Sequence, residues 1–269
     1  MPFVYHISKV KDGRSYLTRF VSVTQEGDSE VIFTCACSFK KIEANVLDMQ
    51  DRVDLWKQYR AALGNKKPED FEDVPGMDVP FYLKIIRETG HNDQFPGLES
   101  RKVDMEPYNK DKNPLDKRDL MFYRTVGNIP PNPNLHLCAH LYGSDRNSLY
   151  IVCNHLDVGD LYTQMGTLVH TVVFHSSAED LMFGPAKSSN NPMNGGGDSG
   201  RWFCREDWTT RVASGRAMFH SRIWSSDGMH VATVMQDGMT RYSKKPEPTR
   251  EEQALLDDRK KNWRPRQKL

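Results

Sequence analysis

Apolar and polar residues alternate in short β-type runs at both ends of the chain, with helical spacing in brief stretches between them. Residues 3–39 read as β structure. "SYLTRFVSVTQEGDSEVIFTCACSF" is two β-rich runs around the turn signal "QEGD". "DLWKQYRAALG", residues 54–64, predicts a short helix stopping at Gly64. Residues 65–118 are charged and rich in Pro, Asp and Lys. A connector of that length is expected to carry structure of its own, with a strand in "LESRKVDM". Asn134 is placed to cap a helix that opens "LHLCAHLYGSD". "GTLVHTVVFH", Gly166 to His175, is β-branched and predicts a strand. "WFCREDWTTRVASGRAMFHSRIW" and "MHVATVMQDGMTRY" predict strands around the turn "SSDG". Residues 184–200 have the composition of a flexible loop, and "TREE" at Thr249 opens a solvated tail helix.

One position resists this pattern. In "HLYGSDRNSLYIV", Cys138, Tyr142, Asp145, Leu149 and Val152 succeed one another by four, three, four and three, the spacing of one core-facing helical stripe. An ionised carboxylate on that stripe is costly unless it has partners. Either the helix breaks at Gly143-Ser144, leaving Asp145 to cap a second helix, or the acid is wanted on the inside.

Two regions echo each other. "DGRSYLTRFVSV", "QEGD" and "EVIFTCACSF" parallel "SGRAMFHSRIW", "SSDG" and "MHVATVMQDG" at a separation of about 200 residues, far too long for a solenoid. A duplicated domain accounts for this. The second copy has a helix and a strand before its hairpin and the first has almost nothing, so the N-terminal half reads as incomplete. The boundaries expected are 1–64 for a partial first domain, 65–118 for the connector, 119–245 for the second domain and 246–269 for a basic helix or tail.

Composition narrows the class. The 269 residues carry 37 basic and 36 acidic side chains, a net charge of +1, which offers no general nucleic-acid surface. No apolar run approaches the ~20 residues of a membrane helix, and "MPFVYHISKVKDGRSY" lacks the apolar core of a signal peptide. The five cysteines are odd in number and irregular in spacing, which predicts reduced thiols in an intracellular compartment. Cys35 and Cys37 share one face of a strand, but no second Cys/His pair stands at zinc spacing, so neither a metal nor another cofactor is expected.

Three polar residues of the second half make a chemical set. Asp145 lies on the helical stripe, Thr167 begins one strand and Gln236 ends another. Taken singly, they are a helix cap, a strand former and a surface amide. Together, an acid, a hydroxyl and an amide can hold and deprotonate a water molecule. A Ser or Cys nucleophile paired with a base is not visible.

"YRTVGNIPPNPNLHLCAHLYGSDRNSL", "TLVHTVVFH" and "ATVMQDGMTR", in that order, resemble the acyl-CoA thioesterase II (TesB-like) family. "VYHISKVKDGRSYLTRFVSVTQ" with "IFTCACSF" resembles that family's N-terminal half from its second strand onward. The resemblance covers about residues 3–40 and 95–243. It implies an α+β double hot-dog, two antiparallel sheets each around a long helix, with the N-terminal hot-dog incomplete. It implies hydrolysis of acyl-CoA to free acid and CoA, with Asp145, Thr167 and Gln236 holding the attacking water, Asp145 as general base, and no cofactor or metal.

The chain departs from that family in two places. The family strand reads Thr-Leu-Asp-His where this chain has Thr167-Leu168-Val169-His170; His170 and His175 are read as structural. The family's first strand and first helix have no counterpart before Val4. A second copy of the chain, the segment 41–64 or an earlier translation start would have to cover the N-terminal sheet. The C-terminal Gln267-Lys268-Leu269 is a partial match to the peroxisomal signal, which places the chain in the peroxisome, or otherwise the cytoplasm. The expected partner is an acyl-CoA substrate, with neither nucleic acid nor membrane. Rival readings are a catalytically weak hot-dog that binds acyl-CoA or a partner, a thioesterase acting on a specialised-metabolite thioester, and a hydratase, whose helical Asp/His pair is not clearly supplied by Asp145 and His155.

Overall fold

The computed structural model describes residues 1–41, 43, 46–93, 95–184 and 200–243, and the chain divides into two compact units, Met1–Met49 and Gln50–Leu269. The composition-based loop at 184–200, the tail helix and the C-terminal tripeptide lie almost wholly outside the described residues.

In the first unit β1 (Phe3–Asp12), β2 (Tyr16–Gln25) and β3 (Phe33–Lys40) form an antiparallel sheet in that order. The "QEGD" turn forms as its composition predicts. Asp28 N donates to the Gln25 carbonyl at 3.0 Å, and Gly27 takes φ +84°, a value glycine reaches without a Cβ penalty. The Cys35 and Cys37 sulfurs lie 3.4 Å apart, on one face as the strand period requires. Ile7 and Phe33 are 67% and 59% exposed, and no helix belongs to this unit among the described residues.

The second unit contains α1 (Leu55–Gln58), α2 (Arg60–Leu63), β4 (Glu72–Asp73), α3 (Pro80–Thr89), β5 (Leu98–Lys102), α4 (Glu106–Asn109), β6 (Asp119–Thr125), α5 (Pro133–Ser144), α6 (Ser148–His155), β7 (Tyr162–Phe174), β8 (Phe203–Ala213), β9 (Arg216–Trp224) and β10 (His230–Tyr242). Its seven strands pair antiparallel in the order β4-β5-β6-β8-β9-β10-β7. The helix over the sheet begins two residues earlier than expected. Asn132, not Asn134, is its N-cap, accepting from Asn134 N at 3.0 Å, and Pro133 occupies the first helical position, where a missing N–H costs nothing.

Side chains alternate across the sheet; both faces are covered around β6 and β8, while Val169, Val173 and Met235 on β7 and β10 stay exposed. Tyr123, Phe203, Phe219, Ile223 and Val234 pack with Ile151 and Val152 of α6 on one face. Leu120, Phe122, Trp202, Cys204 and Trp224 point the other way and pack with Leu55, Tyr59 and Leu63. This corrects two expectations. The unit boundary falls between residues 49 and 50 rather than after 64, and the helical segment 55–63 covers the second unit's own sheet. Leu55, Tyr59 and Leu63 fall at i, i+4 and i+8, an apolar stripe that these aromatic residues bury. Tyr59 Oη donates to Glu206 Oε1, and Trp224 Nε1 donates to Glu206 Oε2 at 3.0 Å. A carboxylate can thus lie inside the second apolar layer, because each oxygen has a donor.

Two local features aim side chains at the helix. The pairing of β10 with β7 shifts register between Asp237 and Gly238: Asp237 faces Val169 but Gly238 faces Thr167, leaving Leu168 as a bulge. Strict alternation would put Thr167 and His170 on opposite faces. One extra residue brings Thr167 round to the face that His170 and Gln236 share. Beside the bulge, Leu149 of α6 presses against Gly238, where an added Cβ would lie 2.4 Å from Leu149 Cδ2. On α5, His136 and His140 are fully engaged: His136 Nδ1 accepts from Phe183 N at 3.0 Å, and His140 Nε2 donates to the Leu181 carbonyl at 2.8 Å while its Nδ1 accepts from Tyr123 Oη at 2.6 Å.

Tyr59→Phe removes a donor from the buried Glu206 carboxylate and is expected to lower unfolding free energy by about 1–3 kcal/mol in urea titrations. Gly238→Ala is expected to cost about 1–3 kcal/mol by overpacking, with Leu149→Val in the same chain restoring part of it. Burial pushes the His140 imidazole down to about 3 from its ordinary 6.5, so the folded state holds it neutral. Its contribution is intact above about 6.5 and is lost as pH falls toward the folded value, because the unfolded chain then binds a proton that the folded chain refuses. The thermal midpoint should therefore fall less between pH 7 and pH 4.5 in His140→Gln than in the unaltered protein.

Candidate active site

The stripe through Asp145 is interrupted, one residue later than the Gly143-Ser144 break. α5 ends at Ser144, Asp145 is its C-cap at φ −93°, and Asn147 takes the left-handed φ of +55° before α6 begins. Asn tolerates that conformation, and its Nδ2 donates to the Pro75 carbonyl at 3.0 Å. Cys138 and Tyr142 are exposed while Leu149 and Val152 are buried, so the two helical pieces present different faces. Asp145 is itself exposed, and the cost of a buried carboxylate does not arise.

A buried ion pair holds the break. Arg205 and Asp207 are two apart on β8, share a face and are both fully buried. Arg205 Nε and Nη2 donate to the two Asp207 oxygens at 3.3 and 2.8 Å. Its Nη1 donates to the carbonyls of Gly143 at 2.7 Å and Arg146 at 2.9 Å. These carbonyls flank Asp145 at the end of α5, where the Gly143 carbonyl otherwise accepts a long 3.3 Å bond from Arg146 N, and the guanidinium adds a charged donor to both. Gly143 approaches closely: an added Cβ would lie 3.1 Å from Leu98 Cδ1 and 3.4 Å from Tyr123 Cε2.

Asp145, Thr167 and Gln236 come together. Gln236 is fully buried in the centre of β10, neither a surface amide nor at its strand's end. Its Nε2 donates to Asp145 Oδ1 at 2.7 Å and to Thr167 Oγ1 at 2.5 Å, using both amide hydrogens. Ser148 Oγ donates to the same Asp145 Oδ1 at 3.1 Å. Among the described residues Asp145 Oδ2 has no hydrogen-bond partner, which leaves one carboxylate oxygen open to a water. Thr167 accepts from Gln236, so its own hydroxyl hydrogen is free to point elsewhere. Thr167 is exposed, and so is Val169, which faces Asp237 across the strands.

A second layer, not evident from the sequence, lies behind this set. His170 stands directly across from Gln236 on β7, and its Nε2 lies 2.7 Å from Ser144 Oγ. Burial pushes this imidazole below its ordinary value; the Asp145 charge raises it, the Arg205 charge lowers it, and a hydrogen bond with the Gln236 side chain raises it. A serine and a histidine in contact are the pair that the sequence had not revealed. Ser144 is fully buried, however, and its hydroxyl also lies 2.7 Å from the Leu141 carbonyl inside α5, so it has no access to an incoming carbonyl. His170 was legible only as part of "TLVH"; Arg205 and Asp207 had one signal, charges in the middle of an aromatic strand, "WFCREDW". His155 is buried near the end of α6, ten residues from Asp145, and the hydratase pairing finds no support in its position.

Comparison with known proteins points the same way. The family model for the acyl-CoA thioesterase C-terminal domain matches residues 86–240, more than half of the chain. The chain is 22% identical over 257 residues to acyl-coenzyme A thioesterase 8 of Mus musculus, covering 90% of this chain and 68% of that protein. Among solved structures, acyl-CoA thioesterase II TesB2 of Mycobacterium marinum aligns with a TM-score of 0.59 at 25% identity, covering 90% of this chain and 75% of that one. A hot-dog-fold protein of unknown function from Alicyclobacillus acidocaldarius aligns with a TM-score of 0.52 at 16% identity, over 90% of this chain and 74% of that one, a likeness of fold alone. With its antiparallel sheet packed on a broken helix and its match across residues 86–240, the chain belongs to the acyl-CoA thioesterase family, and it is an α+β hot-dog thioester hydrolase.

Proposed function

We propose that the chain hydrolyses acyl-CoA thioesters to a free acid and CoA, using a water held by Asp145, Thr167 and Gln236. The observation that carries this reading is the Gln236 amide, whose two hydrogens tie Asp145 Oδ1 and Thr167 Oγ1 to one nitrogen. Asp145 Oδ2 takes the proton from the water as its oxygen attacks the thioester carbon. The Thr167 hydroxyl, already accepting from Gln236, donates its hydrogen to the attacking water or to the oxyanion that forms. Collapse of the tetrahedral intermediate breaks the carbon–sulfur bond and expels the CoA thiolate, a good leaving group. The proton on Asp145 then returns to the thiolate or to solvent. Every step uses groups of this chain and the water.

A fatty acyl chain is the substrate class we infer, with the peroxisome as the site of action on the strength of Gln267-Lys268-Leu269. A fluorescent-protein fusion ending in this tripeptide should enter peroxisomes and one lacking it should not; diffuse signal from the intact fusion would remove that address.

Asp145→Asn keeps an acceptor for Gln236 but has no basic oxygen. Release of free CoA thiol from acyl-CoA of several chain lengths is expected to fall by about 100- to 10,000-fold, with an unchanged thermal midpoint. Thr167→Val keeps the shape and is expected to lose about 100- to 1,000-fold in kcat. Turnover retained by the Asp145 variant would remove this mechanism.

A further inference from the structure

Two buried polar atoms beside the water-holding set have no hydrogen-bond partner of good geometry: Gln236 Oε1 and His170 Nδ1. They belong to direct cross-strand partners, whose side chains share one face with Cβ atoms ~5 Å apart. A buried oxygen left without a donor is unfavourable, and its cross-strand partner, the His170 ring, can carry a hydrogen on the nitrogen that meets it.

The arrangement of hydrogens decides the matter. Ser144 has one hydroxyl hydrogen and two acceptors at 2.7 Å, the Leu141 carbonyl and His170 Nε2. If that hydrogen goes to Leu141, Nε2 must carry the ring hydrogen, and a bare Nδ1 then meets a bare Oε1. If it goes to Nε2, the ring hydrogen sits on Nδ1 and reaches Gln236 Oε1. A doubly protonated ring would also serve; burial, the largest influence, and the Arg205 charge oppose the cation, while the Asp145 charge and the Gln236 amide favour it, and the balance lies below the ordinary value.

We propose that His170, neutral and carrying its hydrogen on Nδ1, is a positioning residue that fixes the Gln236 amide with its oxygen toward the ring and both its hydrogens toward Asp145 and Thr167. The Asp145 carboxylate draws the amide's nitrogen from one side, and the ring hydrogen on Nδ1 draws its oxygen from the other. Turned over, Gln236 sets its oxygen against the Asp145 carboxylate and can bond Thr167 only by taking the hydroxyl hydrogen that the water would otherwise receive. His170 touches neither water nor substrate; it acts through Gln236. The relay runs from Ser144 at the end of α5, through His170 on β7 and Gln236 on β10, back to Asp145 in the break. This inference rests on the proposed water activation and assigns it a residue outside the acid, hydroxyl and amide set.

The test exploits side-chain shape. Asparagine places its amide nitrogen near the position of imidazole Nδ1, glutamine near that of Nε2, and phenylalanine supplies bulk with no donor. His170→Phe is expected to lower kcat by about 10- to 100-fold with KM within about twofold. His170→Asn should recover most of that loss and His170→Gln little of it. Equal kcat in Phe, Gln and unaltered proteins would overturn the proposal, as would an Asn variant no better than Gln. Asp145→Asn is run beside them: if that variant retains turnover, water activation by Asp145 fails, whereas its loss with an intact His170→Phe sinks the positioning role alone. Should His170→Phe fail to fold, nitrogen-15 spectra of the unaltered protein decide. Hydrogen on Nδ1 is the expected result; hydrogen on Nε2 alone, or an acyl group trapped on Ser144, contradicts it.

Discussion

The Arg205–Asp207 ion pair is the constraint on which the site's geometry depends. An isolated charge at full burial is untenable; a guanidinium with four hydrogen bonds to a carboxylate and two carbonyls is not. Breaking such a pair by removing one partner leaves an uncompensated charge and costs about 3–5 kcal/mol, so the pair and the backbone it grips stand or fall together. What it grips is the carbonyl pair on either side of Asp145. The helix is thereby held open at the one place where a carboxylate must leave the helical stripe and meet β10.

Around that clamp, separate pieces of backbone irregularity converge on one polar set. The helix break presents Asp145, the bulge at Leu168 turns Thr167 to the inner face, and Gly238 lets α6 settle beside the bulge. Each departs from ideal helix or strand, and each is held by a specific contact: Arg205 on the carbonyls, Asn147 on Pro75, Leu149 on Gly238. Gln236 needs no irregularity. It sits in regular strand, fully buried, and its amide joins what the other two deliver.

The second apolar layer serves the same end at longer range. β6 and β8 are packed from both sides, which is why Arg205, Glu206 and Asp207 can be consecutive and all buried on opposite faces of one strand. Glu206 faces Tyr59 and Trp224, while its two neighbours face the helix break. Without α1 and α2 over the outer face, the strand carrying Arg205 would have one wet side. Phe71, Val103 and Met105 join the same layer. The charged connector they belong to, whose length predicts structure of its own, contributes to the rigidity of the sheet behind the site.

By itself the sequence determined what local physics dictates. Period-two alternation set the strands, Gly27 and Gly64 set a turn and a helix end, and the order of Asp145, Thr167 and Gln236 in three motifs marked the chemical set. It offered a break at Gly143-Ser144 as one of two readings of Asp145, one residue from where the break falls, and mistook Asn134 for the cap, because Asn132-Pro133-Asn134 offers two capping amides and pattern alone does not rank them. Only the tertiary structure decided the rest. A bulge is a mismatch between two strands and leaves no mark in either one; a charge in mid-strand is a liability or a clamp according to what lies across from it. The roles of His170, Arg205 and Asp207 are set by partners 26 to 62 residues away in the chain, or, for the pair itself, by burial that no two-residue window can show. Single side chains name the chemistry available to this protein, and the packing of β7, β8 and β10 against a broken helix decides which atoms face one another.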